Sequence, residues 1–331
     1  MKKVKFGILG CAHVHTKTYI DCFLKNGTAG IIGFYDDDPE RSADIKDIYG
    51  LPFFDSPGDL LRQKPDFVLV CSENVNHCGL VSAAAEYGID VICEKPLGIT
   101  KEQLDQMLGV CGKHGVRLMT TFPNRYIHSF LDAKEAIASG RIGDLLAVKA
   151  TNKGTMPGGW FIEPELSGGG CVIDHTVHVA DLLNWMFGEI PASVYAVAEK
   201  KLFPENNCED VAFVHFTYPS GVMVSLDSSW SRTGAFPYGR DLTMTFIGTG
   251  GTIFIDYFAE NNQVYSCGAK KAEWSYYGED KDQLMVNDIV DAYRTGREFP
   301  ITGQDGYNSS IVAVAAYKSI EQKREVLISE L

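Results

Sequence analysis

Two hydrophobic periods succeed each other along the chain, and the change falls near residue 122. Before it, the segments 4–9, 30–35, 67–71, 91–93 and 117–121 are short apolar runs. The most continuous of them, 67–71, reads as a strand buried on both faces. Between these runs the spacing is helical. In 13–26, Val14, Cys22 and Phe23 gather near one face, and Gly27 is a stop signal. The segment 76–87 is helical and ends at Gly88. Thr100-Lys-Glu-Gln103 reads as a capping box opening the next helix. Strand and helix in alternation predict a parallel, doubly wound sheet through about residue 122.

Beyond that point helices are expected at 129–139 and 172–187, the second stopping at Gly188. Long strand candidates follow at 193–200, 209–218, 222–230, 242–247 and 252–257. Pro219-Ser220-Gly221 and 248–251 are turn signals between neighbours, which implies antiparallel pairing. Helices at 281–295 and 305–322 finish the pattern. The expected class is therefore α/β. An N-terminal doubly wound parallel sheet (1–122) precedes a C-terminal α+β domain (123–331) with a large, mostly antiparallel open sheet.

Length agrees with this division, since 331 residues correspond to about two domains. Hydrophobic residues make up 45% and charged residues 22%, an ordinary globular balance. The net charge of −13 argues against nucleic acid or an anionic membrane as partner, because both require basic patches. Phosphate held by backbone amides is still compatible with it. No apolar run approaches the roughly eighteen residues of a membrane helix. The opening Met-Lys-Lys-Val-Lys-Phe-Gly reads as a first strand rather than a signal peptide. Nine cysteines without a Cys-x-x-Cys pair predict reduced, buried thiols and a cytoplasmic setting.

Four stretches carry candidate chemistry. Gly10-Cys-Ala12-His13-Val-His15 follows a strand and precedes a helix, where a dinucleotide fingerprint belongs. Only Gly10 matches G-x-G-x-x-G outright; Ala12 and His15 occupy the other glycine positions. Asp36 ends the second strand, 21 residues past His15, at the spacing of an acid that binds ribose hydroxyls. Such an acid repels a 2′-phosphate, so NAD is expected rather than NADP. Glu94-Lys95-Pro96 ends a buried strand and aims a lysine at the crevice where open α/β sheets bind ligands. A lysine there can polarise a hydroxyl or carbonyl; a surface Glu-Lys pair before a proline turn would look the same. Finally, Gly168-Gly-Gly170 leads into Asp174, His175 and His178. Asp174 and His178 share a helix face at i, i+4, and a histidine beside a carboxylate can act as a general base. A metal bound by these three is the alternative. No fourth ligand has motif spacing and no cysteine is placed to help, so no metal site is expected.

Together these residues resemble the family of glucose–fructose oxidoreductase, inositol dehydrogenase and MocA-like proteins over nearly the whole chain. Asp90-Val-Ile-Cys-Glu94-Lys95-Pro96 is similar to the family's Glu-Lys-Pro signature. The segment 66–77 resembles its strand, Thr-Pro-Asn and His segment, with Ser72 and Glu73 replacing Thr and Pro while Asn74 and His77 agree. The segment 168–188 resembles its Gly-Gly-Gly, Asp, His and Trp-x-x-Gly helix, and 301–306 its late Thr-Gly-x-Asp-Gly turn. The resemblance implies a Rossmann domain and an NAD(P)-dependent oxidoreductase acting on a sugar, polyol or related alcohol. It implies that Lys95, Asp174 and His178 are catalytic. Lys95 would bond the reacting oxygen, His178 would exchange the hydroxyl proton, and Asp174 would position that transfer. Gly10, Ala12, His13, Asp36, Ser72, Asn74, His77, Glu94 and Lys95 would surround NAD. The substrate pocket is expected between the domains, with Asn124, Arg125, Tyr126, Trp160 and His175 as candidate lining. His13, His15 and His175 are expected to form a histidine-rich mouth that contacts substrate or phosphate. A homodimer or homotetramer formed by sheet packing is expected. Two other readings stay open: an NAD-retaining enzyme that oxidises transiently for elimination or glycosidic cleavage, and a cofactor-sensing regulator.

Overall fold

The computed structural model describes residues 3–268 and 270–331. The alternating first third forms strands β1 (Val4–Leu9), β2 (Ala29–Tyr35), β3 (Phe67–Val70), β4 (Asp90–Cys93) and β5 (Leu118–Thr120). They are joined by helices α1 (Thr16–Asn26), α2 (Pro39–Tyr49), α3 (Pro57–Leu61), α4 (His77–Glu86) and α5 (Lys101–His114). The strands pair in the order β2-β1-β3-β4-β5, with all four pairings parallel. The chain leaves β1 to one side for β2 and returns on the other for β3. The switch point thus lies between the carboxyl ends of β1 and β3, where sheets of this kind bind ligands. Every residue of β3 is buried, as its continuous apolar run requires.

Two local details bear on function. Helix α1 starts at Thr16, later than the apolar spacing implies, with His15 at the cap position. The His13 amide donates to the Cys71 carbonyl at 2.9 Å, which draws residues 13–15 into a turn. Helix α2, not anticipated from the sequence, is opened by Asp38, whose side chain accepts from the Glu40 and Arg41 amides, and by Pro39 in its first turn.

The chain continues through α6 (His128–Ala138), β6 (Leu145–Thr151), α7 (Pro164–Ser167), α8 (Cys171–Phe187), β7 (Ser193–Glu199), β8 (Val211–Thr217), β9 (Met223–Asp227), β10 (Thr243–Gly248) and β11 (Gly251–Asp256). A hairpin of β12 (Asn261–Ser266) and β13 (Lys271–Tyr276), helices α9 (Lys281–Thr295) and α10 (Gly303–Gln322), and β14 (Val326–Leu327) follow. Seven strands form the second sheet in the order β11-β10-β6-β9-β8-β7-β14. The expected run of antiparallel neighbours is interrupted once: β6 inserts between β9 and β10 and pairs parallel with β9.

The chain divides into two compact units. One comprises residues up to Pro123 with Pro164–Gly168 and Asp282–Ile311; the other comprises Asn124–Glu163, Gly169–Lys281 and Val312–Leu331. The division is less simple than a single cut after residue 122, because two later segments fold into the first unit. One of them contains the Thr302-Gly-Gln-Asp305-Gly306 turn. There Asp305 accepts from the Thr302 amide and hydroxyl, both at 2.7 Å, and the Leu97 amide donates to Ser310 Oγ at 3.1 Å.

In the second unit, α8 packs against the sheet in a core that includes Val172, Val179, Leu183, Val214, Leu226 and Trp230. Glu209 and Tyr317 cap its start. Glu209 Oε1 accepts from the Gly170 and Val172 amides, and the Tyr317 hydroxyl donates to the same oxygen at 2.8 Å. The orphan donors of a helix start are thus satisfied by buried groups. Gly170 is required there because a Cβ would lie 2.1 Å from the Glu209 carbonyl oxygen. The cap fixes the height of Asp174, His175 and His178 on the helix. The sheet's other face exposes Tyr195, Val197, Phe213, Met223, Ile247 and Phe254.

Candidate active site

In the first unit the candidate residues converge on the crevice at the ends of β1, β3 and β4. Gly10 has φ +80°, and a Cβ there would lie 2.5 Å from Ser72 Cβ. The glycine is demanded by the turn and by the close passage of Ser72, before any ligand is considered. Asp36 is buried and heavily engaged. It accepts from the Cys11 amide at 2.5 Å, the Asp38 amide at 2.8 Å and Arg41 Nε at 3.0 Å. Burial raises its pKa above the ordinary carboxylate value, against the pull of those donors. Arg41 also reaches Asp37 at 3.1 Å, Glu73 at 3.0 Å and Asp38 at 3.7 Å, so four carboxylates surround one guanidinium. A groove of about 240 Å³ opens beside them, lined by Gly10, Tyr35, Asp37, Ser72, Glu73, Val75, Asn76, Gly79 and Leu80. Asn74 Nδ2 donates to the Ser167 carbonyl at 2.8 Å, while its Oδ1 is buried without a hydrogen-bond partner among the described residues.

Glu94 is fully buried at the end of β4, and Lys95 beside it is 4% exposed. Glu94 Oε2 accepts from the Lys95 amide at 2.8 Å. Its Oε1 faces two histidines, His15 Nδ1 at 3.0 Å and His13 Nδ1 at 3.7 Å. Burial pushes the Glu94 carboxyl up, but His13, His15 and Lys95 prevail and hold it well below the usual range. His13 is buried to the point that its pKa falls to about 3, so its ring is neutral at physiological pH. His77 is also fully buried, which lowers its pKa, and its Nδ1–H donates to the Pro96 carbonyl at 2.9 Å. His77 therefore supports the turn that carries Lys95. Ala12 lies in the turn before α1, between Cys11 and His13.

In the second unit, Asp174, His175 and His178 occupy the first two turns of α8. Asp174 Oδ2 accepts from Trp230 Nε1 at 3.1 Å and lies 3.2 Å from His175 Nε2. The other ring nitrogen, His175 Nδ1, is 2.9 Å from the Ser228 carbonyl. A carbonyl only accepts, so Nδ1 carries a proton. Gly154 makes room for this ring, since a Cβ there would sit 3.0 Å from His175 Cε1. The Asn152 side chain donates to the His175 carbonyl at 3.0 Å.

The remaining lining candidates are more dispersed. Arg125 is buried, and its Nε and Nη2 both donate to Asp181 on α8, at 2.9 and 2.6 Å. Two of its donors therefore pin the 123–126 turn to the helix. Asn124 accepts from Lys281 Nζ at 2.8 Å, and Tyr126 ends the same turn. Trp160 is half-buried on a short helical turn and stacks on Phe161 at 3.9 Å. Sequence reasoning missed Arg41, Gly154, Ser228 and Trp230. The first lay in an unanticipated helix. The others act through contacts that no local motif announces.

Comparison with known proteins finds matches along most of the chain. A model of the oxidoreductase family with NAD-binding Rossmann fold covers residues 4–122, and a model of the GFO/IDH/MocA C-terminal domain covers residues 130–254. Myo-inositol 2-dehydrogenase of Thermotoga maritima is 27% identical, spanning 99% of this chain and 98% of that protein. Inositol 2-dehydrogenase of Rhizobium meliloti is 25% identical, spanning 98% and 99%. The crystal structure of a probable dehydrogenase from Thermotoga maritima superposes with a TM-score of 0.84 at 25% identity, covering 98% of this chain and 99% of that one.

Proposed function

The chain belongs to the GFO/IDH/MocA family of NAD-binding oxidoreductases, and from that premise we propose that it transfers a hydride at a hydroxyl-bearing carbon of a sugar, polyol or related small molecule. The observation that carries this reading is Lys95, buried at the carboxyl end of β4 beside the turn that follows β1. A cation desolvated there interacts strongly with a substrate oxygen. The names of the relatives, inositol dehydrogenases over nearly their whole length, support the hydroxyl-rich substrate class.

The first unit's residues fit a dinucleotide. A close backbone turn at Gly10, the unpartnered Oδ1 of Asn74 and the acid-rimmed groove are the features one requires. Gly10, Ala12, His13, Asp36, Ser72, Asn74 and Glu94 would hold it. When bound, its nicotinamide supplies the hydride acceptor or donor. Lys95 then holds the reacting oxygen. His178 takes the hydroxyl proton during oxidation and returns it during reduction. Asp174, fixed by Trp230 and His175, orients that exchange.

NAD is the cofactor this reading selects. The Arg41 guanidinium is surrounded by Asp36, Asp37, Asp38 and Glu73, so it is neutralised before a 2′-phosphate arrives. Equilibrium binding is expected to favour NAD⁺ over NADP⁺. Asp36→Ser should weaken NAD⁺ by about 10- to 100-fold, the worth of a hydrogen bond to a charged group, and narrow the preference. A wild-type preference for NADP⁺ would overturn the ribose role of Asp36. Reduction of added NAD⁺ by a polyol, with no tightly retained nucleotide, separates a dehydrogenase from a cofactor-retaining eliminase.

The exposed apolar face of the second sheet supports a homodimer or homotetramer, since contiguous apolar patches mark interaction surfaces. Sedimentation velocity is expected to show an assembly, and Phe213→Glu to shift it toward the monomer. A wild-type monomer would dismiss the idea. Eight of the nine cysteines are buried and none of the nine is in a disulfide, which supports a reducing compartment such as the cytoplasm.

A further inference from the structure

We propose that His13, His15 and Glu94 form a binding site for one divalent first-row transition-metal ion. Among the described residues they are the only three His, Cys, Asp or Glu side chains whose ligand atoms all lie within 4.8 Å of one another. The two imidazole nitrogens stand 3.0 and 3.7 Å from the same Glu94 oxygen. Metal–ligand bonds of about 2.1 Å put neighbouring donors roughly 3 to 3.5 Å apart, so little movement is needed.

The local backbone produces this set. In a helix, residues two apart point away from each other. Here α1 begins only at Thr16, and the preceding turn brings the two rings to 4.7 Å, edge to face. His13 Nδ1 accepts from the His15 amide at 3.3 Å, so it is the unprotonated ring nitrogen. It stands 3.7 Å from Glu94 Oε1, and a metal bound there would replace the long amide contact. Glu94 is held for the role, because the Lys95 amide fixes its Oε2 and leaves Oε1 toward the rings. His15, 26% exposed, supplies the way in.

Two imidazoles and one carboxylate select ions such as zinc, cobalt, manganese or iron over magnesium and calcium. Three protein ligands leave coordination positions open, as at catalytic rather than structural centres. An oxygen ligand, water or a substrate hydroxyl, is the chemistry those positions accept. The sequence alone predicts no metal site, because Glu94 lies 79 residues from His15. His13 and Glu94 also belong to the proposed dinucleotide cradle, so the metal is tested without NAD, and its failure leaves the redox reading standing.

The test uses untagged full-length protein, stripped with a chelator, then equilibrated with Zn²⁺ or Co²⁺ and freed of excess. Elemental analysis is expected to find one zinc per chain. Cobalt should give the visible ligand-field bands of a site containing nitrogen and oxygen donors. His15→Gln and Glu94→Gln should each weaken Zn²⁺ binding at least about tenfold. Melting in metal-free buffer shows whether each variant is folded. His15 is partly at the surface, so His15→Gln decides the matter even if Glu94→Gln unfolds. Failure of the wild type to retain zinc, or equal retention by folded His15→Gln, would overturn the site.

Discussion

Replacing Lys95 by Met is expected to lower kcat by about 10²- to 10⁴-fold, the range for loss of a positioned electrostatic or acid–base group. The NAD⁺ dissociation constant should change by no more than about tenfold. Met keeps most of the apolar stem and removes only the charged end. The side chain is 4% exposed, so its cation acts in a medium where charge interactions are poorly screened. Glu94, fully buried next to it, keeps His13 and His15 as partners when Lys95 is lost. The crevice is therefore expected to stay folded, and retained NAD⁺ binding is the control. Should kcat remain within tenfold of wild type, Lys95 would be removed from the chemistry. The proposed reading would then lose the observation that carries it.

How much of this was legible beforehand depends on how local each signal is. β1, β3 and β4 are near-continuous apolar runs, and each appears within one residue of its expected limits. The stop glycines Gly27 and Gly188 take left-handed conformations just past their helices. Helix α2 stayed hidden because it buries only Ser42 and Ile45, too little apolar surface to show a period. Strand β6 was missed for another reason. Its pattern of part-buried and exposed residues is irregular, and its place beside β9 is set by a parallel pairing with residues more than seventy positions away. The capping box at Thr100 is half realised. Thr100 accepts from the Gln103 amide, but Gln103 Oε1 reaches back to Ile99 rather than to the cap itself.

The site divides along the same line. Motif positions that lie close in sequence, such as Glu94 and Lys95 or Asp174 and His178, were readable from spacing. Partnerships across the fold were not. Nothing local couples Arg41 to Glu73, Glu209 to the start of α8, or Trp230 to Asp174. Those contacts decide the electrostatics. His15, which replaces a fingerprint glycine, and His13 nearby become, in three dimensions, two neighbours of one buried carboxylate.

The second large effect is expected on α8, and it distinguishes two histidines three residues apart. His178→Asn should lower kcat by about 10²- to 10⁴-fold, as for a lost general base, and flatten the limb of the pH–rate profile that reports it. His175→Asn should cost less, about tenfold. His175 is committed by geometry: Nδ1–H is spent on the Ser228 carbonyl, and Nε2 lies 3.2 Å from the Asp174 carboxylate. A ring fixed at both nitrogens orients a neighbour better than it accepts a new proton. Asp174 keeps the Trp230 donor when His175 is changed, which limits the damage. His178 lies one turn beyond Asp174 on the same face, where a proton taken from substrate can be stabilised by the carboxylate. Equal losses in the two variants would show that His175 itself moves the proton. A larger loss in His175→Asn would transfer the base assignment to it, with Ser228 and Asp174 completing a carbonyl–imidazole–carboxylate chain.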